Sequence, residues 1–185
     1  RKDIPAYIAL QLKRVVGNGF VEVWGPVDEI SGDVKAQYSK YQRLLTTEAV
    51  AKASPQKGKM IFQRSCGVCH KMHGEGGIIG PDLTGSNRTN TAYLLSNMLE
   101  PSADIQDDYK MVVITTQDGR TYSGNIVSEN NKELTLRIVG QDAVTINKSK
   151  IQSKEISTNS MMPEGLLNTL TDQEVLDLVA FLKKL

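Results

Sequence analysis

The sequence has little of what several function classes require. Its 185 residues include only two cysteines and two histidines, and 22 lysines and arginines nearly balance 21 acidic residues. The near-neutral charge argues against binding nucleic acid through bulk positive charge, because contacts to phosphates need a basic surface. No apolar run approaches the roughly 20 residues that span a bilayer, so we expect no transmembrane segment.

The length and the first residue also limit the interpretation. At about 100–200 residues per domain, the chain corresponds to one domain, or to one small domain with an appendage. It begins with Arg1 rather than methionine, and no signal-peptide pattern follows. We therefore expect a processed form or a piece of a longer polypeptide.

Three of the four cysteine and histidine residues lie within five positions. Cys66, Cys69 and His70 form Cys-x-x-Cys-His, the attachment motif for c-type haem. Two intervening residues let the chain turn, so that both sulfurs can reach the vinyl groups of one porphyrin and form thioethers. The next residue is then held against the iron, where its imidazole becomes the proximal ligand.

Other interpretations of this motif stay open, a chance occurrence among them. A thioredoxin-like redox pair also uses Cys-x-x-Cys, but it is expected near a βαβ pattern, and none surrounds this one. A zinc site is a further alternative, although structural zinc usually draws its ligands from two separated pairs. The zinc site would use Cys66, Cys69, His70 and His73.

Helical patterns lie on both sides of the motif. Ser54 followed by Pro55 is typical of an N-cap and a first helical position, and predicts a helix to about Ser65. Within this helix, glycine, phenylalanine and the first cysteine recur at steps of four and share one face. Near the end of the chain, residues 171–174 form a capping box ahead of an apolar helical stripe.

The segments 55–109 and 157–185 resemble a class I cytochrome c. Proteins of that family place a Gly-x-x-x-Phe helix before Cys-x-x-Cys-His, and this helix crosses a C-terminal helix that bears an aromatic residue. The resemblance implies that Gly58, Phe62 and Phe181 take these places.

The Gly80-Pro81 step also matches the family. The resemblance implies that the Pro81 carbonyl accepts a hydrogen bond from the ring of His70. Such a bond would fix the tautomer of the histidine and raise its basicity as a ligand. An ordinary turn is the alternative for a Gly-Pro step.

A haem iron of this kind needs a second axial ligand or an open site. His73 is a poor candidate, because a chain held by two thioethers at Cys-x-x-Cys-His70 cannot pass around the macrocycle in three residues. Class I cytochromes present their distal methionine in a loop before the C-terminal helix, and use the methionine that precedes a proline. The resemblance therefore favours Met162, before Pro163, as the second iron ligand, with Met161 as the alternative.

The chain departs from a small cytochrome c between residues 102 and 160. Runs of β-branched residues separated by Gly and Asn turns predict four or five antiparallel strands within 110–156. The Asp-Gly-Arg-x-Tyr-x-Gly pattern is similar to small bent barrels of the Sm or SH3 kind. The expected fold is mainly α, a class I cytochrome c helical core with a small antiparallel β sheet or barrel inserted before the methionine loop.

Residues 56–185 more specifically resemble the planctomycete-type haem-binding domain. The motifs that carry this resemblance are Gly-Glu-Gly-Gly-x-x-Gly-Pro-Asp-Leu-Thr-Gly at 74–85, Glu-Pro-Ser-Ala at 100–103 and Met-Pro-Glu-Gly-Leu-Leu at 162–167. The resemblance implies a haem domain at the C-terminal end of a longer polypeptide, after a dehydrogenase region and helical repeats.

The N-terminal part is predicted to be helical. Apolar periodicity indicates helices at 4–16 and 34–45, a pair consistent with the last unit of a helical-repeat region. Trp24 is expected to be buried between this pair and the haem domain. We therefore divide the chain into a helical segment and linker at 1–54 and a haem domain at 55–185.

Further contacts to the haem are expected from apolar and polar side chains near the motif. Burial tunes the potential of a haem, which favours apolar walls. For the arginine, a solvated surface charge is the alternative. The expected walls are Ile78, Ile79 and Leu83, and the expected propionate contacts are Arg88, Asn90 and Tyr93.

The predicted ligands determine the expected function. A six-coordinate His/Met iron has no open site, so it carries electrons rather than binding a substrate. We expect one covalent haem c in an electron carrier that is not itself an enzyme, and that accepts electrons from a dehydrogenase domain or a redox partner. Haem c attachment outside the cytoplasmic membrane implies a periplasmic or other extracytoplasmic location.

Two alternatives stay open. A gas-binding or sensory haem domain would leave the distal site open or labile. An interaction module without haem would use the β insert as its working part. The oligomeric state is not predicted.

Overall fold

The computed structural model describes residues 34–184. The predicted helix at 4–16 and Trp24 lie outside the described residues. The helices are α1 (Val34–Leu44), α2 (Thr47–Lys52), α3 (Pro55–Ser65), α4 (Thr91–Leu99) and α5 (Asp172–Lys183), with 3-10 turns at Asp107–Tyr109, Lys148–Lys150 and Leu166–Thr169. The strands are β1 (Lys71–Met72), β2 (Glu75–Gly76), β3 (Val112–Thr116), β4 (Thr121–Glu129), β5 (Glu133–Arg137), β6 (Val144–Asn147) and β7 (Ile151–Ile156).

Local capping determines where helices α3 and α5 begin. The Ser54 side chain accepts a hydrogen bond from the Lys57 amide, and Pro55 occupies the first helical position of α3. At α5, Thr171 and Glu174 bond each other's backbone amides in a complete capping box. Both helix starts confirm the predictions made from the sequence.

Helices α3 and α5 pack closely across one another. A Cβ on Gly58 would lie 1.9 Å from the Asp177 carbonyl oxygen, so only glycine allows this approach. One turn further, the rings of Phe62 and Phe181 are 5.4 Å apart between centroids. The helix crossing expected from Gly58, Phe62 and Phe181 is confirmed.

The helical core extends from this crossing to α1 and α4. Tyr41 of α1 is fully buried, and its hydroxyl donates to the Asn168 side chain at 3.0 Å. Leu95 of α4 and Leu178 of α5 are also fully or almost fully buried in the same apolar cluster. The predicted helix at 34–45 is therefore confirmed within one residue and is part of the main core.

The five strands β3 to β7 form one antiparallel sheet in the order β6-β5-β4-β3-β7. Consecutive strands form a meander, and β7 returns to pair with β3, where Val112 lies opposite Ile156. The sheet has an apolar core of its own. Its buried members are Val112, Ile114, Leu134, Leu136 and Ile146.

Strand β4 bends in the middle. Its first half pairs with β3 up to Gly124, and its second half pairs with β5 from Asn125 onward. A Cβ on Gly124 would lie 2.2 Å from the Arg137 carbonyl oxygen, so the glycine allows β5 to approach the bend. A register shift between Ile126 and Ser128 marks a bulge, which increases bending.

The ends of this sheet lie side by side. The Ser157 amide, directly after β7, donates to the Met111 carbonyl, directly before β3, at 2.8 Å. The strands predicted within 110–156 are present. The chain enters and leaves the sheet at adjacent points, Met111 and Ser157, and we call this place the narrow neck of the sheet.

The prediction of a mainly α fold with a class I helical core is wrong. Helix, including 3-10 turns, accounts for 39% of the described residues and strand for 22%, in a five-stranded and a two-stranded sheet. The reason is that the five-stranded sheet builds a separate apolar core rather than covering a helical one. Among residues 34–184, no helix combines the length and apolar character needed to cross a bilayer.

The two-stranded sheet β1-β2 was not predicted. His73 and Gly74 connect its strands, and both have positive φ, at 51° and 84°. Two such residues form the tight turn that suits a hairpin. The hairpin directly follows Cys-x-x-Cys-His. It reverses the chain, so that the residues after β2 pack against the Cys-x-x-Cys-His turn.

Candidate functional site

The Cys-x-x-Cys-His segment continues from the last turn of α3. The Cys66 amide donates to the Phe62 carbonyl at 2.7 Å, and the His70 amide donates to the Cys66 carbonyl at 2.8 Å. The Cys69 amide also donates to the Cys66 carbonyl. These bonds form a compact turn that fixes the two cysteines and the histidine relative to the helix.

No disulfide joins the two cysteines. Burial, and to a lesser degree the neighbouring Cys69, raises the pKa of the Cys66 thiol to about 12. A thiol redox centre instead depends on a lowered pKa, because the thiolate is the reactive form. The environment of Cys66 therefore does not favour the thioredoxin-like interpretation.

The ring of His70 is held from two sides. Its Nδ1 lies 2.9 Å from the Pro81 carbonyl oxygen, so Nδ1 carries the proton and donates. A Cβ on Gly80 would lie 2.6 Å from the ring Cε1, so the glycine backbone lies flat against the imidazole. Burial lowers the pKa of His70, and the bond to Pro81 partly opposes this. With Nδ1 engaged, Nε2 keeps its lone pair for a metal.

The loop that supplies Gly80 and Pro81 lies on the Cys-x-x-Cys-His turn itself. The Gly77 amide donates to the Gly67 carbonyl, and the Gly80 amide donates to the Cys69 carbonyl, each at 2.8 Å. A Cβ on Gly77 would lie 2.0 Å from the Val68 carbonyl oxygen. The glycines of this loop therefore allow backbone to pack on backbone beside the histidine.

The second predicted ligand lies in a loop that is hydrogen-bonded to the turn after α4. The Met162 amide donates to the Ser160 hydroxyl, and the Ser160 amide donates to the Ser102 hydroxyl, each at 3.1 Å. Pro163 is buried. The partly buried side chains of Met162 and Cys66 pack against the same helical core.

The expected pocket walls differ in exposure. Ile79 is buried and Leu83 is partly buried against the helical core. Ile78 is 58% exposed. Tyr93 on α4 is also exposed, and Asn90 caps the start of α4 through its side chain. Contacts of these residues with a haem stay a prediction.

Arg88 has a structural role that the sequence did not predict. Its side chain is buried and donates to the carbonyls of Thr84 and Leu182, at 3.1 Å and 2.7 Å, and to that of Lys184. The guanidinium thus binds orphan carbonyls at the end of α5. No local pattern could have indicated this, because the partners lie more than 90 residues away.

His73 lies at the turn of the β1-β2 hairpin. Its ring meets Phe181 edge-on at 6.4 Å between centroids, and its amide donates to Thr84 Oγ1 at 2.9 Å. Within the part of the chain that the structure describes, no three or more His, Cys, Asp or Glu side chains group so as to hold a metal ion.

A Cys-x-x-Cys-His turn after a Gly-x-x-x-Phe helix, with its histidine bonded to a Gly-Pro carbonyl, defines the class of c-type haem proteins. The family model for cytochrome c matches residues 55–185, more than half of the chain, and the protein belongs to the cytochrome c family. No curated protein matches the chain.

Family membership establishes the general function. The protein is a haem-binding electron-transfer protein, and the haem of this family is attached covalently. The family indicates an electron carrier rather than an enzyme, one that exchanges electrons with a redox partner. Cytochrome c domains usually lie outside the cytoplasm.

Proposed function

We propose that the chain carries one haem c, attached through Cys66 and Cys69 and bound at its iron by His70 and Met162. The observation that carries the proposal is the bond from His70 Nδ1 to the Pro81 carbonyl, which commits one ring nitrogen and leaves the other as a ligand. The chain has two cysteines in all, which suits the two thioethers of a single haem.

The residues around His70 fit this cofactor. Gly80 leaves the space that the imidazole plane occupies, and a side chain there would displace the ring. The Cys66 side chain packs against the helical core, an apolar setting that suits the thioether it would form. Bound here, the haem would supply one-electron chemistry, the iron changing between its ferrous and ferric states.

Met162 is favoured over Met161 for the distal position. Its amide is bonded to Ser160, and its side chain packs on the core that also receives Cys66. The buried Pro163 that follows restricts the backbone of the loop. A thioether ligand stabilises reduced iron and raises the potential.

We propose further that the domain is of the planctomycete type and receives electrons from a dehydrogenase domain or partner in the periplasm. The order of the three motifs at 74–85, 100–103 and 162–167 supports the subfamily. The five-stranded sheet between the second and third motifs is consistent with the insert of that subfamily.

The test begins with the intact mass of protein produced in a host that attaches haem c. The expected mass exceeds that of the polypeptide by one haem, and the mass of the bare chain would contradict attachment. The visible spectrum of oxidised protein then identifies the distal ligand, because thioether ligation gives a far-red band.

Two neighbouring methionines provide a matched pair of variants. Met162→Ala should abolish the far-red band, give a high-spin or ligand-exchanged haem and lower the potential. Met161→Ala should leave the spectrum nearly unchanged. Loss of the band in Met161→Ala alone would reassign the ligand. An unchanged spectrum in both variants would rule out Met161 and Met162 as ligands, and a spectrum without the far-red band would then favour a sensory or gas-binding site.

A further inference from the structure

We infer that the five-stranded sheet fastens the loop that holds His70, and that Arg137 is the positioning residue that does so. The Nη1 of Arg137, at the end of β5, donates a hydrogen bond of 2.6 Å to the Ile78 carbonyl. The two residues are 59 positions apart, so the bond joins the sheet to the haem-binding part of the chain. The inference rests on the proposed role of His70 as an axial ligand.

The sheet holds Arg137 in a defined position. Successive residues of a strand point to opposite faces, and Leu136 before it is fully buried in the core of the sheet. The arginine therefore projects from the other face. Its backbone pairs with Asn125 at the bend of β4, and Gly124 packs against its carbonyl. A side chain mounted on this strand is better fixed than one on a loop.

The loop needs an anchor at the point where Arg137 binds. Before Ile78, the Gly77 amide is bonded to the Cys-x-x-Cys-His turn, and after it the Gly80 amide is bonded there too. Between these anchors, the Ile78 side chain is 58% exposed and contributes little packing. The guanidinium of Arg137 donates to the Ile78 carbonyl and so fixes this exposed part of the loop. A hydrogen bond from a charged donor is stronger than one between neutral groups.

A displacement of the Ile78 backbone would be passed to the contacts of His70, because Gly80 and Pro81 follow within three residues. Gly80 lies against the imidazole and Pro81 accepts its proton, so displacement of Ile78 would loosen both contacts. Looser packing admits water beside the ring and favours ferric over ferrous iron. Removal of the arginine's positive charge favours ferric iron as well. Both effects lower the reduction potential.

The experiment uses the haem-loaded protein with Arg137→Ala and Arg137→Lys, and Arg120→Ala as the matched control. Arg120 also lies in the sheet region, but its side chain is 73% exposed and pairs with Asp118 rather than with the haem-binding part. Amide hydrogen exchange of a peptide covering 76–83 and the reduction potential are measured in each protein.

We expect Arg137→Ala to exchange several-fold faster than wild type in 76–83 and to shift to lower potential. Arg137→Lys keeps the charge and one donor and should restore most of both values. Arg120→Ala should match wild type in the exchange of this peptide. If Arg137→Ala does not fold, Arg137→Gln replaces it, since it keeps N–H donors, and should shift both values in the same direction by less.

The outcomes separate this inference from the proposed function. Wild-type protein without covalent haem, or with a ligand other than His70, would contradict the proposed function. Haem-loaded wild type in which the Arg137 variants match Arg120→Ala in both exchange and potential would refute the positioning role alone. A lower potential without faster exchange would show that the charge acts directly and would equally overturn it.

Discussion

Replacement of Gly80 by alanine tests the contact on which the proximal site depends. The added Cβ would lie 2.6 Å from Cε1 and 2.8 Å from Nδ1 of His70. Ordinary contacts between such atoms are about 3.5–4.0 Å, so ring and loop must separate by about 1 Å. The bond of 2.9 Å from Nδ1 to the Pro81 carbonyl would then exceed hydrogen-bonding distance.

Two costs and one gain set the size of the effect on the free energy of unfolding. Overpacking costs about 1–3 kcal/mol, and loss of the hydrogen bond adds about 0.5–1.5 kcal/mol. Alanine also restricts the unfolded chain, which stabilises by about 0.4–1 kcal/mol. We therefore expect Gly80→Ala to lower the free energy of unfolding by about 2 kcal/mol, since the clash outweighs the entropic gain. In haem-loaded protein the ring cannot swing aside, so the loss should be greater than in the apoprotein.

Gly85 provides the control in the same loop region. A Cβ there would meet no atom within 4 Å, and its φ is not positive. Gly85→Ala should therefore be neutral or stabilising by about 0.4–1 kcal/mol. Thermal unfolding measures both variants, at about 2–4 °C per kcal/mol for a chain of this size. Equal melting temperatures for Gly80→Ala and Gly85→Ala, with unchanged visible spectra, would refute the described packing of His70.

Gly58→Ala should lower the free energy of unfolding by about 2 kcal/mol, because overpacking against the Asp177 backbone exceeds the gain of about 1 kcal/mol in helix propensity. A melting temperature equal to that of wild type would contradict the close crossing of α3 and α5. The pKa of Glu174 is lowered from 4.5 to about 2, first by the Thr171 amide and then by Arg64. Since a lowered folded-state pKa stabilises above the unfolded value, this contribution is complete above pH 4.5 and is lost as pH falls toward 2. Urea unfolding should show that Glu174→Gln lowers the free energy of unfolding by about 0.5–1 kcal/mol at neutral pH. Between pH 4.5 and 2 the stability of the variant should depend less on pH than that of wild type. Parallel pH profiles for the two proteins would exclude a stabilising role of the Glu174 carboxylate.

The elements that the sequence predicted are those with short-range causes. The N-cap at Ser54 and the capping box at Thr171 act over three residues, and both helices begin where these signals place them. The strands β3 to β7 follow the β-branched runs between turns and lie within the predicted range 110–156. Periodicity and punctuation are local properties, so a single sequence contains them.

The features that escaped prediction depend on distant contacts. No local pattern indicated the bonds from Arg88 to the end of α5 or from Arg137 to Ile78, because the fold brings these partners together from distant positions. The β1-β2 hairpin turns on His73, a residue that rarely adopts positive φ. The mainly α prediction is wrong because the five strands β3 to β7 pair into one sheet with an apolar core of its own, and strand accounts for 22% of the described residues.

The narrow neck of the sheet has a consequence for the order of folding. Apart from the bond of Arg137 to Ile78, the proximal elements from Cys66 to Pro81 lie within one short stretch of chain, so most of their contacts can form locally. Met162 is different, because its loop is placed only when β7 has paired with β3 and the Ser157 amide has reached Met111. Pairing across such a sequence distance is slow, since loop closure must precede the stabilising contacts. We therefore expect the proximal half of the site to form first, and the pairing of β7 with β3 to control when the proposed distal ligand, Met162, reaches its position.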